Sequence, residues 1–350
     1  MKRKGHLIEK TASALNVYVG WLESCRRKPK NRKRMEEVKQ FKDNLLESLN
    51  NVQRAIETGD WKMSAKDYGL FFRWQCGKLR EICYNRSFFN NVVMHCMMQV
   101  DGKILEDSLI ADTFSGIKGK GPVNVVKRMK EYLSEYPDDV PIYVLKIDMR
   151  HYYDSIVREI LKAMIARKIK DEKALKLHAA VIDSSPRKGI PKGNLPSQTY
   201  GNFYLSPLDH YIKETRGFRH YARYCDDIVV LSSDKAALVA LLADVMEFVK
   251  PYGLEIKPNA QVFPIERYGI DFIGYVFRRH EVRLRKRNER KLRRAARKFK
   301  ADPSERNYKT LSSYWGLVKH ISRPDALWNA VVGTPIKELW KTVKRDKEAA

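Results

Sequence analysis

The segment 221–232, YARYCDDIVVLS, constrains the fold of this chain more than any other stretch. Two adjacent aspartates, Asp226 and Asp227, lie between two short apolar runs. The runs predict two buried strands of a hairpin with its turn at the aspartates. Because burying unpaired carboxylates is unfavourable, this turn needs either solvent or a cation. An isolated Asp-Asp pair is more often an ordinary turn, since Asp favours turns, so the surrounding motifs decide between the two.

A second apolar run supplies another carboxylate. Residues 142–148, IYVLKID, predict a buried strand that ends at Asp148. From 142 to 277 the pattern reads strand, helix, helix, hairpin, helix, hairpin, which favours an α+β fold with helices on one face of a sheet. If the strands pair, the carboxylates of Asp148, Asp226 and Asp227 converge at one end of the sheet. A hard divalent cation such as Mg²⁺ removes their repulsion, and two such ions can assist phosphoryl transfer. We predict that Asp148 and Asp226 bridge the ions, with Asp227 as an outer ligand.

The charge indicates a polyanionic partner. The 350 residues carry a formal net charge of +26, which opposes compaction unless a polyanion neutralises it. Nucleic acid is the expected partner, and a merely solvated basic surface is the alternative. The five cysteines form no CxxC pair, which predicts a reduced, cytoplasmic protein without structural zinc. No apolar run approaches the ~20 residues of a membrane span, and the N-terminus lacks the apolar segment of a secretory signal.

Several motifs in order resemble one family. KIDMRHYYDSI, GIPKGNLPSQ and YCDD follow one another, and the resemblance to the palm of reverse transcriptases extends over residues 70–330. It implies a right-hand polymerase with fingers, palm and thumb, in which the palm sheet is antiparallel and the thumb helical. The expected divisions are an N-terminal helical extension (1–60), fingers (61–140), palm (141–277, with fingers elements near 155–188) and a basic helical thumb (278–350).

The resemblance also implies roles for individual residues. Asp148, Asp226 and Asp227 match the catalytic, metal-binding aspartates, with two Mg²⁺ as cofactor, for which Mn²⁺ can substitute. Tyr153 matches the aromatic gate that rejects a ribose 2′-hydroxyl, although an ordinary core aromatic is the alternative. The residues implied to bind the nucleotide are Lys78, Arg80, Tyr153, Lys192, Gly193 and Gln198.

Further residues are expected to contact nucleic acid. Phe272, Gly274 and Tyr275 in FIGYVF resemble the primer grip. The residues expected at phosphate backbones are Lys118, Lys120, Arg285, Arg287, Arg293 and Arg294. The loop 112–122 is equally explained as a flexible basic loop. Lys257 is one candidate for the lysine that relatives place near the departing pyrophosphate, and its role stays open.

The second palm motif indicates a subfamily. It ends Ser197-Gln198, as in reverse transcriptases of diversity-generating retroelements, which copy a template RNA with errors at adenine and use a small helical accessory protein. Those relatives usually carry an apolar residue where this chain has Lys192. The implied partners are template RNA, the cDNA primer and product, deoxynucleoside triphosphates and that accessory protein. Three alternatives stay open: an antiphage-defence or other unassigned bacterial reverse transcriptase, a non-catalytic maturase-like RNA-binding protein, and a nuclease or nucleotidyl cyclase on a related palm.

Overall fold

The computed structural model describes residues 3–26, 32–75, 77–336, 338–341 and 343. The helices are α1 Leu7–Thr11, α2 Ala14–Cys25, α3 Arg32–Asp43, α4 Leu45–Thr58, α5 Phe88–Glu106, α6 Pro122–Ser134, α7 Tyr152–Ser155, α8 Arg158–Ala166, α9 Glu172–Asp183, α10 Ser197–Tyr204, α11 Ser206–His210, α12 Lys235–Val249, α13 Ile265–Tyr268, α14 Lys286–Ala301, α15 Glu305–Val318 and α16 Pro324–Val331. The strands are β1 Tyr68–Gln75, β2 Lys78–Asn85, β3 Tyr143–Asp148, β4 Tyr221–Tyr224, β5 Asp227–Ser232, β6 Gln261–Pro264, β7 Ile270–Phe272, β8 Tyr275–Phe277 and β9 Val282–Leu284.

The central sheet has four antiparallel strands in the order β4-β5-β3-β6. This confirms the predicted antiparallel α+β fold and the strand that ends at Asp148. The hairpin β4–β5 is also confirmed, but its turn differs by one residue. Tyr224 pairs with Asp227, so the turn consists of Cys225 and Asp226, and Asp227 begins β5.

Both faces of the central sheet are buried, which explains the near-continuous apolar runs of its strands. Leu145 and Ile147 of β3 join the core that contains α12, whereas Val144 joins the core that contains α6. Successive residues of a strand point to opposite faces, so the sheet separates two cores. Helices cover the first face. On the second face, α6 packs together with the small sheet β7-β8-β9 and the C-terminal helices.

Two smaller sheets flank the central one. β1 and β2 form a two-stranded hairpin, and β7, β8 and β9 form an antiparallel three-stranded sheet. The prediction that the chain is helical from residue 278 onward is wrong at Val282–Leu284, because these residues pair with β8. β6 was not predicted either, since its four residues end in a proline that weakens the strand pattern.

The helix α14 is strongly two-sided. Its buried residues are Leu292, Ala295, Ala296 and Phe299, at helical spacing, and its other face is basic. Helices α15 and α16 complete the core around it, with Trp328 buried as expected for a core tryptophan. Among the described residues, no helix is both long enough and apolar enough to cross a membrane.

Candidate active site

The strand register brings two of the predicted aspartates side by side. Asp148, the last residue of β3, is paired with Asp227, the first residue of β5. Asp226 precedes Asp227 in the turn, near enough to Asp148 for the two carboxylates to repel each other. The three carboxyl groups therefore lie at one edge of the central sheet, as the sequence predicts.

Two lysines contact these carboxylates. The Lys257 ammonium binds Asp148 Oδ2, and Lys146 Nζ lies 3.7 Å from Asp227 Oδ1. Lys146 also donates a hydrogen bond to the carbonyl oxygen of Asp271 in β7. With the lysines in these positions, no three His, Cys, Asp or Glu side chains of the described residues are grouped so that they could hold a metal ion as they stand.

The carboxylates nevertheless have the properties of a cation site. Burial, together with repulsion from Asp148, raises the pKa of Asp226 to about 6. Burial raises the pKa of Asp227 to about 7, with repulsion from Asp148 and Asp226 adding to the effect. The buried Oδ1 of Asp227 has no hydrogen-bond partner. Hard oxygen donors that repel one another match what Mg²⁺ binds, so the donor set fits the predicted ions.

A buried ion pair supports the turn, and sequence reasoning did not find it. Arg223 of β4 is fully buried, and its Nη2 lies 2.6 Å from Oδ2 of the equally buried Asp209. Its Nη1 donates to the carbonyl oxygen of Cys225 at 2.9 Å. Cys225 has a φ of 58°, which a non-glycine residue adopts at a cost. The only sequence signal was an arginine inside an otherwise apolar strand.

Cys225 belongs to a small polar network. Its Sγ lies 2.8 Å from Ser115 Oγ, and Gln198 Nε2 donates to the same Ser115 Oγ at 3.1 Å. Gln198 also packs on Gly116. Burial raises the pKa of the Cys225 thiol, so it stays protonated. The contacts of Gln198 are therefore with the segment 112–116, which runs beside β4 through a bridge between Thr113 and Arg223.

The two lysines of the loop 112–122 differ in their contacts and exposure. Lys120 Nζ donates to the carbonyl oxygen of Ala111 at 2.8 Å, and burial lowers its pKa. Lys118 is exposed. Of these two predicted backbone contacts, Lys118 is thus the more accessible.

Tyr153, the predicted sugar gate, lies close to Cys225 and Asp226 of the β4–β5 turn. It is the second residue of the one-turn helix α7, five positions after Asp148, and its ring packs against the ring of Tyr152 at 5.4 Å between centroids. Burial, with the nearby Cys225 and Asp226, raises the pKa of its hydroxyl. Tyr152 is buried, and its hydroxyl donates to the Gly201 carbonyl, so its ring packs in the core.

The loop that carries Lys192 and Gly193 lies along β2. The Cys83 amide donates to the Lys192 carbonyl at 2.8 Å. Gly193 has a φ of 103°, and a Cβ there would lie 2.6 Å from the Cys83 carbonyl oxygen, so only glycine fits. The Lys192 ammonium lies 2.5 Å from Asp154 Oδ2, in an ion pair that the sequence did not predict.

The hairpin β1–β2 presents two exposed arginines. Arg80 is the register partner of Arg73, which sequence reasoning missed. Like charges directly opposite each other are unfavourable without an anion between them, so Arg73 joins Arg80 as a phosphate candidate. The side chain of Lys78, also predicted to bind the nucleotide, lies outside the described residues.

The predicted primer grip is a tight turn on a buried base. Phe272 and Tyr275 are buried, and the Tyr275 hydroxyl donates to the Leu317 carbonyl at 3.0 Å. Gly274, with a φ of 93°, lies in the turn between them. Phe272 and Tyr275 therefore shape the turn from beneath.

The four predicted backbone arginines differ in availability. Arg285 is paired with Asp271, and Arg293 with Glu289 at 2.7 Å. Arg294 is exposed. Arg287 Nη1 lies 3.6 Å from the position that a Cβ on Gly77 would take, at the turn of β1–β2. The start of α14 thus approaches the hairpin that carries Arg80.

Comparisons with solved structures show a shared fold. Apo telomerase from Candida tropicalis superposes with a TM-score of 0.53 at 14% identity, covering 79% of this chain and 59% of that chain. Telomerase from Candida tropicalis in complex with the TWJ fragment of telomeric RNA gives 0.51 at 13% identity, covering 77% and 55%. The corresponding Candida albicans complex gives 0.50 at 11% identity, covering 82% and 59%. The chain therefore spans less than two thirds of these telomerase chains, with which it shares the right-hand polymerase fold.

No curated protein sequence matches the chain. The sequence profile described as "Reverse transcriptase (RNA-dependent DNA polymerase)" matches residues 91–277. This range is more than half of the 350 residues and contains the three aspartates, Tyr153 and the turn at Gly274. The chain belongs to the reverse transcriptase family.

Proposed function

We propose that this protein is an RNA-directed DNA polymerase that extends a primer 3′-hydroxyl with deoxynucleotides. The observation that carries the proposal is the meeting of Asp148, Asp226 and Asp227 at one edge of the sheet, in a chain of the reverse transcriptase family. A protein that only binds RNA has no need for three mutually repelling carboxyl groups.

The three aspartates would hold two divalent cations, with Mg²⁺ as the expected ion. Bound there, the ions would neutralise the charge that develops on the attacking and leaving oxygens of phosphoryl transfer. Lys257 contacts Asp148 and so orients this carboxylate.

Other residues would select and position the nucleotide. Tyr153 fills the space beside Asp226 and would exclude a 2′-hydroxyl by its bulk. Arg73 and Arg80 would bind the triphosphate, because a guanidinium can donate two parallel hydrogen bonds to phosphate oxygens. The basic face of α14 would bind the duplex backbone, which gives affinity without sequence preference.

The division into N-terminal extension (1–60), fingers (61–140), palm (141–277) and thumb (278–350) is part of the proposal. The central sheet and the helical core around α14 support it. Template RNA as a partner is supported by the RNA complex of one telomerase with this fold. We also propose a location in the reducing cytoplasm. The free thiols of Cys25, Cys83, Cys96 and Cys225 support it.

The test is extension of a DNA primer annealed to an RNA template, with deoxynucleotides and Mg²⁺. We expect chain growth by the wild-type protein and none by Asp226→Ala. Unchanged synthesis by Asp226→Ala would reject the assignment. Cleaved template or a cyclic nucleotide as product would indicate another phosphoryl-transfer enzyme, and tight RNA binding without synthesis a maturase-like protein.

We propose further that the enzyme serves a diversity-generating retroelement. Ser197-Gln198 supports this subfamily, and Gln198 is built into the segment beside the catalytic turn through Ser115. A near-repeat that differs at adenines, next to a gene for a small helical protein, is the expected genomic context. An antiphage-defence locus around the gene would favour that alternative instead.

A further inference from the structure

Tyr153, the proposed sugar gate, lies on a helix that cannot fix its own position. The helix α7 has four residues and is preceded by His151, whose φ of 47° is left-handed. One helical turn is too short to be stable on its own. The placement of the gate must therefore come from contacts outside α7.

The loop 189–193 supplies three of these contacts. The Ile190 amide donates to the Tyr153 carbonyl at 3.0 Å, and Gly189 packs directly on that same carbonyl. The Lys192 ammonium then binds the carboxylate of Asp154, the next residue along α7, at 2.5 Å. The gate is thus held through its backbone and through the side chain that follows it.

The same loop is anchored at its other side. The Lys192 carbonyl accepts the Cys83 amide of β2, and Ser197 Oγ donates to the Pro191 carbonyl at 2.6 Å. Lys192 therefore joins the hairpin β1–β2 to α7 by its main chain and its side chain together. Its ammonium is engaged by Asp154, beside a cavity of about 390 Å³ whose other charged residues are Glu81, Arg187 and Lys188.

We infer that Lys192 is a positioning residue, which together with Asp154 sets the place of Tyr153 and hence the rejection of ribonucleotides. This inference rests on the proposed polymerase function. It assigns Lys192 to sugar selection through Tyr153, whereas the resemblance implies that Lys192 binds the nucleotide directly. An apolar residue at position 192 would leave the Asp154 carboxylate without its partner.

The test compares Lys192→Ile, Asp154→Asn and the charge exchange Lys192→Asp/Asp154→Lys. For each, kcat/KM is measured for a deoxynucleotide and for the matching ribonucleotide on one RNA template. We expect both single variants to lower the deoxy-to-ribo ratio by about tenfold and the exchange to recover part of it. Lys188→Ile, which removes the exposed lysine immediately before this loop, is the control and should leave the ratio unchanged.

Sequencing of the cDNA separates the two roles of Lys192. A positioning role predicts an unchanged error spectrum opposite adenine in Lys192→Ile. An unchanged deoxy-to-ribo ratio would overturn the inference, as would a new error spectrum in Lys192→Ile that Asp154→Asn does not share.

A second readout does not depend on activity. Amide hydrogen exchange over residues 150–157 should be faster in both single variants and slower again in the charge exchange. Unchanged exchange would overturn the inference even if the protein proves inactive. Absence of synthesis by the wild type, by contrast, would count against the proposed function alone.

Discussion

At the scale of single residues, the main feature of the site is the electrostatic repulsion between its buried carboxylates. Asp227 has a buried oxygen without a hydrogen bond, and its neighbour Asp226 adds to the repulsion. Lys146 approaches Asp227 but also serves the Asp271 carbonyl. Burial and mutual repulsion of these carboxylates destabilise the folded protein, and a bound cation would offset this destabilisation.

Asp227→Asn should therefore stabilise the metal-free protein at neutral pH. The folded pKa of about 7 is raised above the unfolded value, so this carboxyl favours the folded state below about pH 4 and loses that contribution as the pH rises to about 7. In EDTA, the melting temperature of the variant minus that of the wild type should increase as the pH rises between those two values. Asp60→Asn, at an exposed aspartate, is the control. A difference that does not change with pH would contradict the assignment.

The stability of Cys225 variants tests the backbone conformation of the turn between β4 and β5. A β-branched side chain is strained at a φ of 58°, at a cost of about 1–2 kcal/mol. We expect Cys225→Val to be less stable than Cys225→Ala by about that amount in urea denaturation. Cys225→Ala removes only the contact with Ser115 Oγ and is the matched reference. Equal stability of the two variants would show that the turn has another conformation.

At the scale of elements, β4 depends on a buried ion pair. Arg223 of β4 binds Asp209 of α11, and Asp209 also accepts hydrogen bonds from Tyr221 and Thr113. Removing one member of such a pair leaves a buried charge and costs about 3–5 kcal/mol. We expect this loss for Arg223→Met in urea denaturation, and a smaller loss for Arg223→Met/Asp209→Asn. If the double variant is no more stable than the single one, the pair is not the cause.

The elements also show what the sequence can predict. The strands around Asp148 and Asp227 were predictable, because both are apolar runs buried on two faces. β6 and β9 were not: Gln261–Pro264 ends in proline, and Val282–Leu284 lies within a basic run. Their pairing comes from tertiary contacts with β3 and β8.

The site divides in the same way. The aspartates and Tyr153 follow from motif spacing, because each must occupy a fixed place on a strand or turn. The partners Lys146, Arg223 and Asp154 do not, since their roles depend on which side chains the folded chain brings near them. The contact of Gln198 with Ser115 is likewise visible only in three dimensions.

At the scale of the whole molecule, the three aspartates and the basic face of α14 belong to different elements. The carboxylates lie at the edge of the central sheet, whereas α14 turns its buried residues inward and a basic face outward. The net charge of +26 favours a polyanionic partner, and under the proposed function that partner is an RNA–DNA hybrid recognised by its shape and phosphates.

Neutralising α14 should weaken hybrid binding without changing sequence preference. For Arg294→Gln/Arg297→Gln, at two exposed cations, we expect the slope of log K against log salt to fall by about 2. Fluorescence anisotropy with two unrelated hybrid sequences measures this. The control Lys39→Gln/Lys235→Gln removes the same charge from exposed positions on α3 and α12. An equal loss in both double variants would contradict a specific role for α14.

The central claim is that the three aspartates make this chain a template-copying DNA polymerase. Single-nucleotide addition to a DNA primer on a defined RNA, measured in Mg²⁺ with the wild type and Asp226→Asn, tests it most directly. We predict addition of the complementary deoxynucleotide by the wild type and a rate at least about a thousandfold lower in the variant. Addition at the same rate by a folded Asp226→Asn protein, or addition that ignores the template base, would contradict the account.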